Sequence, residues 1–279
     1  MANESTYTSM SGLVNSIIDT ALLTASEQSI MPMLVKNWND GLTSATRIWA
    51  SYTGGTVATV TEATDMAAQT FTPAAAGTLT PVRYGTAYFL TDDRINSDPF
   101  GAQQDAGLDL GRLMGVKVDS TLTGLFSSLT GGTVGTAGGT LTWQNIQRAS
   151  AYIKAAYGPG PYACVMRPEQ WYYLVSATSG VPTLMQNSAI ANSVLGGFYT
   201  ASFAGIDFYT DSNITSGTAA VAAMFATDAI GLDVRQPLRI EPQRDASRSG
   251  GGWELNATIK FAAGVYRPTW GAQLIGTSA

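Results

Sequence analysis

Residues 97–129 have the sequence SDPFGAQQDAGLDLGRLMGVKVDSTLTGLFSSL, and this stretch predicts one long helix. Asp98 is a suitable N-cap, and Pro99 fits the first helical position because its ring presets φ. Apolar residues recur at steps of three or four and form one stripe: Ala106, Leu110, Met114, Val118, Leu122, Leu125 and Leu129. About 32 residues at 1.5 Å per residue make a rod of roughly 48 Å, so the stripe needs a sheet or a neighbour to cover it.

The segment before this helix, Thr53 to Asp92, is poor in charge and rich in threonine and alanine. Short runs of β-forming residues follow one another along it, and Pro73, Gly77 and Pro81 separate them. This pattern predicts a long β-hairpin. A two-stranded ribbon is marginally stable in water unless something covers it, so we expect another subunit to be its partner.

The composition favours an obligate assembly. Charged residues make up only 13% of the 279 residues, whereas about 25% is usual for a soluble domain. A charge-poor surface of this kind favours burial against other chains. The net charge of −5 gives no electrostatic footprint for tight nucleic-acid binding, so we do not expect sequence-specific DNA recognition. The first residues lack a basic signal-peptide region, and no apolar run approaches the roughly 18 residues of a membrane span.

Shorter patterns flank the hairpin and the long helix. Residues 1–11 are polar and predict an extended arm, whereas residues 12–23 have helical apolar spacing and predict a short amphipathic helix. Met31–Trp38 is a compact apolar run that we expect to cross a neighbouring surface. The stretch 131–139, GGTVGTAGG, lacks periodicity and predicts a flexible loop. It has no following Lys-Ser/Thr and follows a helix, so it does not fit a phosphate-binding loop.

The second half of the chain predicts a compact α/β unit. Thr142 is a candidate N-cap for a helix that ends at Tyr157 and whose inner face is Ile146, Ala149, Ile153 and Ala156. Tyr162–Met166 predicts a strand, and Pro168 opens a helix whose inward residues are Trp171, Leu174 and Val175. Further strands are predicted at 205–211, 219–226, 229–234, 237–243, 253–266 and 270–275.

The absence of histidine from the sequence excludes a Ser-His-Asp triad, a Cys-His dyad and histidine-bound zinc. Cys164 lies in a predicted buried strand with no histidine to activate it, which favours a core residue. Asp105 and Asp109 share a helix face and could hold a divalent ion. A structural role is favoured, because early acids complement the helix dipole and Arg112 can pair with Asp109. We therefore predict no catalytic, metal or cofactor site.

Arginines are the main candidates for contacts between subunits. The candidate inter-subunit residues are Arg83, Arg94, Arg235, Arg239, Arg244 and Arg248. The last four form the densest basic run in the chain, which would also suit a phosphate patch. Glu241 and Asp245 interleave with that run, and this arrangement favours ion pairs across a subunit junction.

The order of the predicted parts resembles the major capsid protein of tailed bacteriophages with the HK97-type fold, over nearly the whole chain. In that family the hairpin is the E-loop, the long helix belongs to the peripheral P-domain, and the α/β unit is the axial A-domain. Residues 161–174, PYACVMRPEQWYYL, resemble the family's A-domain strand followed by a proline-started helix. Residues 264–268, GVYRP, resemble its final P-domain strand.

The resemblance implies an α+β fold with five segments. These are an N-terminal arm at 1–40, the E-loop hairpin and its flanks at 41–96, the P-domain spine helix and a loop at 97–140, the A-domain at 141–234, and returning P-domain strands at 235–279. It also implies a structural protein that forms the hexamers and pentamers of an icosahedral head in the virion, enclosing double-stranded DNA with non-specific contacts. Assembly would take place in the host cytoplasm.

Residues 1–11 lead directly into the arm without a long acidic or coiled extension, so we expect a separate scaffolding protein. The resemblance adds a portal and decoration proteins as partners and implies no cofactor and no membrane. In some family members an E-loop lysine forms an isopeptide bond with an asparagine of a neighbouring subunit. Here the lysines are Lys36, Lys117, Lys154 and Lys260, so the hairpin has none and this cross-link is not expected.

Three alternatives remain at this point. An encapsulin-like nanocompartment shares the fold and would hold protein cargo in place of a genome. A surface-layer protein or adhesin would suit the richness in threonine, serine and glycine, but the missing signal peptide and the long helix disfavour it. An enzyme is the least favoured class.

Overall fold

Three β-sheets and one long helix organise the described part of the chain. The computed structural model describes residues 29–38, 44–52, 55–66, 68–70, 73–97, 101–176, 199–203, 205–245, 247 and 251–278. The predicted arm at 1–11 and the predicted helix at 12–23 lie outside the described residues, as do Asp98, Pro99 and Arg248.

The described part of the chain combines α-helices with sheets in which antiparallel strand pairs predominate, which confirms the predicted α+β class. The α-helices are α1 (Met31–Leu34), α2 (Asp92–Asn96), α3 (Ala102–Thr123), α4 (Trp143–Ala155) and α5 (Pro168–Ser176). The strands are β1 (Lys36–Trp38), β2 (Arg47–Tyr52), β3 (Pro73–Leu79), β4 (Val82–Thr91), β5 (Gly132–Gly135), β6 (Tyr162–Met166), β7 (Tyr199–Phe203), β8 (Ile206–Thr210), β9 (Ala220–Ala226), β10 (Ile230–Asp245), β11 (Gly252–Val265) and β12 (Gly271–Gly276). Short 3₁₀-helices lie at Gly124–Ser128, Thr227–Ala229 and Pro268–Trp270.

The helix α3 is the long helix that the sequence predicts, but it is shorter than expected. It begins at Ala102 instead of Pro99, because Gly101 at the N-cap has a left-handed φ of +77° that turns the chain just before the helix. It ends at Thr123, where Gly124 opens a 3₁₀-helix. Its 22 residues span about 33 Å at 1.5 Å per residue.

The apolar stripe of α3 faces the interior, as predicted. Its buried members are Leu110, Met114, Val118, Leu122 and Leu129, and Ala106 and Leu125 are partly buried. Phe126 is also fully buried although the prediction did not name it. It follows Leu122 by four residues, so helical spacing places it on the same inner side.

The stripe packs on a four-stranded sheet with strand order β1-β10-β11-β4. The strand β1 runs parallel to β10, and the other neighbours are antiparallel. The strand β4, which was predicted as part of the hairpin, belongs to this sheet instead. It pairs with β11 along its whole length, from Val82 opposite Phe261 to Thr91 opposite Gly252. That ladder pairs one side of β4, which is the edge strand of this sheet, and Leu90 is buried in the shared core.

The hairpin is formed by β2 and β3, so its first strand starts before the predicted Thr53. Arg47 lies opposite Leu79, and Tyr52 lies opposite Pro73, with an irregularity between Trp49 and Ser51. The aromatic and β-branched residues of β2 suit a strand better than the threonine- and glycine-rich stretch that follows.

Met31–Trp38 contributes to the core of its own chain. Its first residues form α1, and its last residues form β1 beside β10. Met31 and Val35 are buried in the same core as the stripe of α3, whereas Met33 is 76% exposed. Core packing therefore explains part of the apolar run, and its crossing of a neighbouring surface stays a prediction.

A six-stranded sheet with order β5-β12-β9-β6-β8-β7 carries the second core. The stretch predicted as a flexible loop at 131–139 contains β5, which pairs in parallel with β12. Its backbone bonds are made to a strand about 140 residues away in sequence, and no local pattern reveals such a partner. Gly132 also permits close packing, because an added Cβ would lie 2.3 Å from the ring of Tyr152.

The helices of this half follow the prediction with exceptions near their ends. The hydroxyl of Thr142 accepts a hydrogen bond from the N–H of Asn145 at 3.4 Å and caps α4. The predicted inner face of α4 is buried at Ile146, Ala149 and Ile153, whereas Ala156 is only partly buried because the helix ends at Ala155 and not at Tyr157. In α5, Trp171 and Leu174 are buried, but Val175 is 48% exposed and not inward as predicted. It lies about 100° around the helix from Leu174, near the end of a helix of only nine residues.

Candidate inter-subunit surfaces

The connection between β2 and β3 leaves its apolar residues uncovered. All described residues of this connection, 55–66 and 68–70, are exposed in the single chain. They include Val57, Val60 and Met66, which we call the hairpin tip. Gln69 ties the two sides of the connection together, because its Oε1 accepts a hydrogen bond from the Thr56 N–H at 2.8 Å.

Three aromatic side chains fix the base of the hairpin to the four-stranded sheet. Trp49 of β2 stacks on Trp38 of β1 with ring centroids 6.0 Å apart, and Tyr266 lies edge-on to both rings at 5.6 and 5.7 Å. We call Trp38, Trp49 and Tyr266 the hairpin anchor. Aromatic pairs of this geometry contribute about 0.5–1.5 kcal/mol each beyond the apolar area that they bury.

A buried ion cluster joins the same strands. Asp233 of β10 is 1% exposed, and its Oδ2 accepts from the Nε of Arg47 at 3.1 Å and from the Nε of Arg235 at 2.9 Å. Arg47 also lies over the ring of Trp38, with its guanidinium carbon 5.1 Å from the centroid. A carboxylate removed from water requires such partners, so the cluster fixes the position of β2 relative to β10.

Two glycines allow the anchor to close. A Cβ on Gly77 would lie 2.0 Å from the Trp49 ring, and a Cβ on Gly231 would lie 2.2 Å from the Trp38 ring. Real Cβ contacts are never that short, so only glycine lets the two indoles approach the backbone. The hairpin is therefore held at its base and uncovered at its tip.

The basic run 235–248 is paired within the chain where it is described. Arg235 belongs to the buried cluster of Asp233, and Arg239 pairs with Glu241 on the same strand. Arg244 makes a bidentate pair with Asp92, with Nη2–Oδ2 and Nη1–Oδ1 distances of 2.6 and 3.0 Å. Glu241 is therefore a partner of this run, and Asp92 is a partner that the sequence analysis did not name.

The remaining candidate arginines lie at the surface or outside the described residues. Arg83 donates a hydrogen bond to Gln236 Oε1 at 3.2 Å, and Arg94 is exposed on α2. Arg248 lies outside the described residues. The structure does not bring Arg83, Arg94 and Arg244 into one patch of mutual contacts.

Cys164 and Asp109, which the sequence analysis considered for chemical roles, lie in surroundings that suit a structural role. Cys164 is fully buried, and that burial raises the pKa of its thiol far above the usual value. Asp109 accepts a hydrogen bond from the Tyr88 hydroxyl and pairs with Arg112 at 2.9 Å, as the spacing predicts for Arg112. These two contacts, with Tyr88 first, lower the pKa of Asp109. The hydrogen bond between Tyr88 and Asp109 joins β4 to α3, so Asp109 has a structural role.

The described residues contain no cluster of three or more side chains that could hold a metal ion. None of the described helices is both long and apolar enough to cross a membrane.

The hairpin anchor and Asp233 are the functional residues that sequence reasoning missed. Trp38 belongs to β1, Trp49 belongs to β2, and Tyr266 directly follows β11, so the three residues come from distant parts of the chain. The local signal is the tryptophan in KNW and in RIW, each two residues after a cation. Such a signal suggests cation–π contacts but not which strands meet.

A spine helix on a mainly antiparallel sheet, an adjoining hairpin and an α/β unit with its own sheet define the HK97-type subunit of phage shells. A family model described as phage capsid protein matches residues 75–274. The chain therefore belongs to the phage capsid protein family, and its role is that of a structural shell protein of the virion.

Solved structures support the same fold. A structure from Mycobacterium phage Che8 is similar with a TM-score of 0.72 and 15% identity over 88% of this chain and 91% of that chain. The capsid structure of cyanophage P-SCSP1u has a TM-score of 0.66 and 13% identity over 91% of this chain and 89% of that chain. A virus-like particle from Pyrococcus furiosus has a TM-score of 0.63 and 10% identity over 93% of this chain and 98% of that chain. No curated protein sequence matches the chain.

Proposed function

We propose that copies of this chain form the hexamers and pentamers of an icosahedral phage head that encloses double-stranded DNA. The observation that carries this proposal is the hairpin, which is anchored at its base and uncovered at its tip. Val57, Val60 and Met66 are exposed in the single chain although burial of such side chains is favourable. A closed shell supplies a neighbour to cover the tip of every copy.

The five segments keep their main proposed roles in the shell, but sheet membership crosses their bounds, because β1 and the start of β10 belong to the four-stranded sheet, and β5 and β12 belong to the six-stranded sheet. The arm is 1–40, the E-loop with its flanks is 41–96, the spine segment of the P-domain is 97–140, the A-domain is 141–234, and the returning P-domain strands are 235–279. The strand β4 lies at the end of the E-loop segment and pairs with β11, so this strand carries the E-loop into the P-domain sheet. Motion of the E-loop would therefore occur between Arg47 and Leu79.

The proposed partners follow from the role in the shell. A separate scaffolding protein, a portal and decoration proteins would act with the chain, and assembly would occur in the host cytoplasm. Contact with packaged DNA would be non-specific, because the net charge of −5 disfavours tight phosphate binding. Within this proposal the chain has no enzymatic activity and no cofactor.

The arginines at the surface would contribute ion pairs between subunits. Arg83 and Arg94 have exposed side chains that a neighbour could approach. The Arg239–Glu241 pair is about half exposed, so either partner could be shared with an adjacent subunit. Each exposed pair contributes only about 0.2–1 kcal/mol, so these contacts would select register more than they would add strength.

A direct test is negative-stain electron microscopy of particles purified from cells that express this chain with the other head proteins of the phage. The proposal expects closed icosahedral shells whose mature form contains nuclease-protected DNA. A second candidate is an encapsulin-like compartment, and the likeness to the Pyrococcus furiosus virus-like particle favours it as the alternative. Shells that contain protein cargo and no DNA would support that alternative, and unassembled chains would contradict both.

A further inference from the structure

A buried carboxylate on the spine helix joins three separate parts of the subunit. Asp119 of α3 is 0% exposed. Its Oδ1 accepts hydrogen bonds from the Ser29 hydroxyl at 3.1 Å and from the Met31 N–H at 2.9 Å. Its Oδ2 accepts from the side-chain amide of Asn213 at 3.0 Å. Asp119 therefore holds the segment before α1 and the loop after β8 to the spine helix.

A second carboxyl group lies against the first. Asp211 follows β8 and is 2% exposed, and its N–H donates to the Met166 carbonyl at 2.9 Å. Its Oδ1 accepts from the Asn213 N–H at 2.8 Å, whereas its Oδ2 is buried without a hydrogen-bond partner. The two carboxyl groups are joined through Asn213, which donates its backbone N–H to Asp211 and its side-chain amide to Asp119.

Two ionised carboxylates cannot hydrogen-bond to each other, because each has only acceptor oxygens. A proton on Asp211 Oδ2 changes this oxygen into a donor to Asp119. It satisfies the buried atom and removes the repulsion between two like charges in a buried site.

The nearby cations have other partners. Arg167 donates to the carbonyls of Ser212 at 3.1 Å and Ile214 at 2.5 Å, and it pairs with Glu169 at 2.9 Å. Lys117 on the same helix as Asp119 lies over the Tyr84 ring, 4.8 Å from its centroid. Among the described residues, no ion pair neutralises Asp119 or Asp211.

We propose that Asp119 and Asp211 share one proton and that this proton fastens residues 29–31, α3 and the 211–214 loop to one another. The junction loosens when the proton is lost. Burial first, and then contact with Asp119, raises the pKa of Asp211 to about 7. Because this pKa is above the unfolded value of about 3.9, the stability that the proton contributes is complete below about pH 4. It is lost progressively as the pH rises to about 7, so the subunit responds to pH near neutrality.

The first test measures thermal unfolding of the full-length chain from pH 5 to 8.5. In Asp211→Asn the amide donates permanently to Asp119, so its midpoint should fall with pH less than half as much as that of the wild type. The matched control is Asp207→Asn, which removes a partly exposed carboxyl from β8 and should keep the wild-type slope. Equal slopes for the wild type and Asp211→Asn would overturn the proposal.

A second measurement needs no variant and remains decisive if Asp211→Asn does not fold. Hydrogen exchange of the wild-type chain reports on the N–H groups of Met31 and Asn213, which donate into the pair. After correction for base-catalysed intrinsic exchange, protection of both amides should fall by up to about tenfold between pH 6 and 8. The amide of Asn145, which caps α4 away from the pair, is the internal control. Protection of Met31 and Asn213 that stays constant across this range would overturn the proposal.

Discussion

Replacing Leu122 by alanine tests whether the spine helix stabilises the subunit through its apolar stripe. Leu122 is 0% exposed and lies in the core that α3 shares with the four-stranded sheet. A fully buried leucine loses its transfer free energy and leaves a cavity, so the free energy of unfolding should fall by about 2–5 kcal/mol. The full chain has an unfolding entropy of roughly 0.6 kcal/mol/K, which converts this loss into a midpoint shift of about 3–9 °C.

The assay is urea denaturation of the unassembled subunit, followed by tryptophan fluorescence, with a thermal scan in parallel. Leu113→Ala is the matched control, because Leu113 lies on the same helix and its side chain is 37% exposed. The free energy of unfolding of Leu113→Ala should fall by about 1 kcal/mol or less. If Leu122→Ala has the stability of the wild type, or if the two variants lose the same amount, the assigned inner face of α3 is wrong.

Three further predictions concern the hairpin and the shell. Asp233→Ala leaves Arg47 and Arg235 buried without their carboxylate and should lower the free energy of unfolding by about 3–5 kcal/mol, whereas Asp207→Ala should change it little in the same denaturation assay. Mature particles boiled in detergent with a reducing agent should give one band near 29.2 kDa, because the hairpin has no lysine for an isopeptide bond, and a ladder of covalent oligomers would refute this. The chain expressed without other head proteins should give few closed shells, and uniform closed shells from the chain alone would remove the need for a scaffolding protein.

The spine helix shows what sequence periodicity can and cannot predict. Leu110, Met114 and Val118 are buried because steps of four residues keep side chains on one helix face whatever the surroundings. The predicted start of the helix at Pro99 is wrong. Asp98 and Pro99 form a good local capping signal, but the left-handed turn at Gly101 places the start of the helix after that signal.

Strand pairing is the part of the fold that the sequence does not contain locally. The strand β5 is a glycine-rich stretch whose partner β12 lies near the other end of the chain. The strand β4 has the same alternating pattern whether it pairs with β3 or with β11, so the sequence could not separate hairpin from sheet.

The candidate site was partly predictable for the same reasons. The low content of charged residues and the uncovered hairpin indicated contact with other subunits, and the family match supports a shell protein. The hairpin anchor combines residues from distant strands, and Asp119 and Asp211 are buried although acids usually lie at the surface. Only the folded arrangement brings these groups together.

The most direct test of the central claim replaces the hairpin tip with charge and then counts closed shells. The variant carries Val57→Asp, Val60→Asp and Met66→Asp, and its control carries Thr59→Asp, Thr61→Asp and Thr64→Asp, which add equal charge to the same exposed segment. Both are expressed with the other head proteins of the phage, and circular dichroism verifies that each subunit is folded. Electron microscopy should then show a folded, unassembled subunit for the tip variant and closed shells for the control. Closed shells of normal size and number from the tip variant would contradict the account.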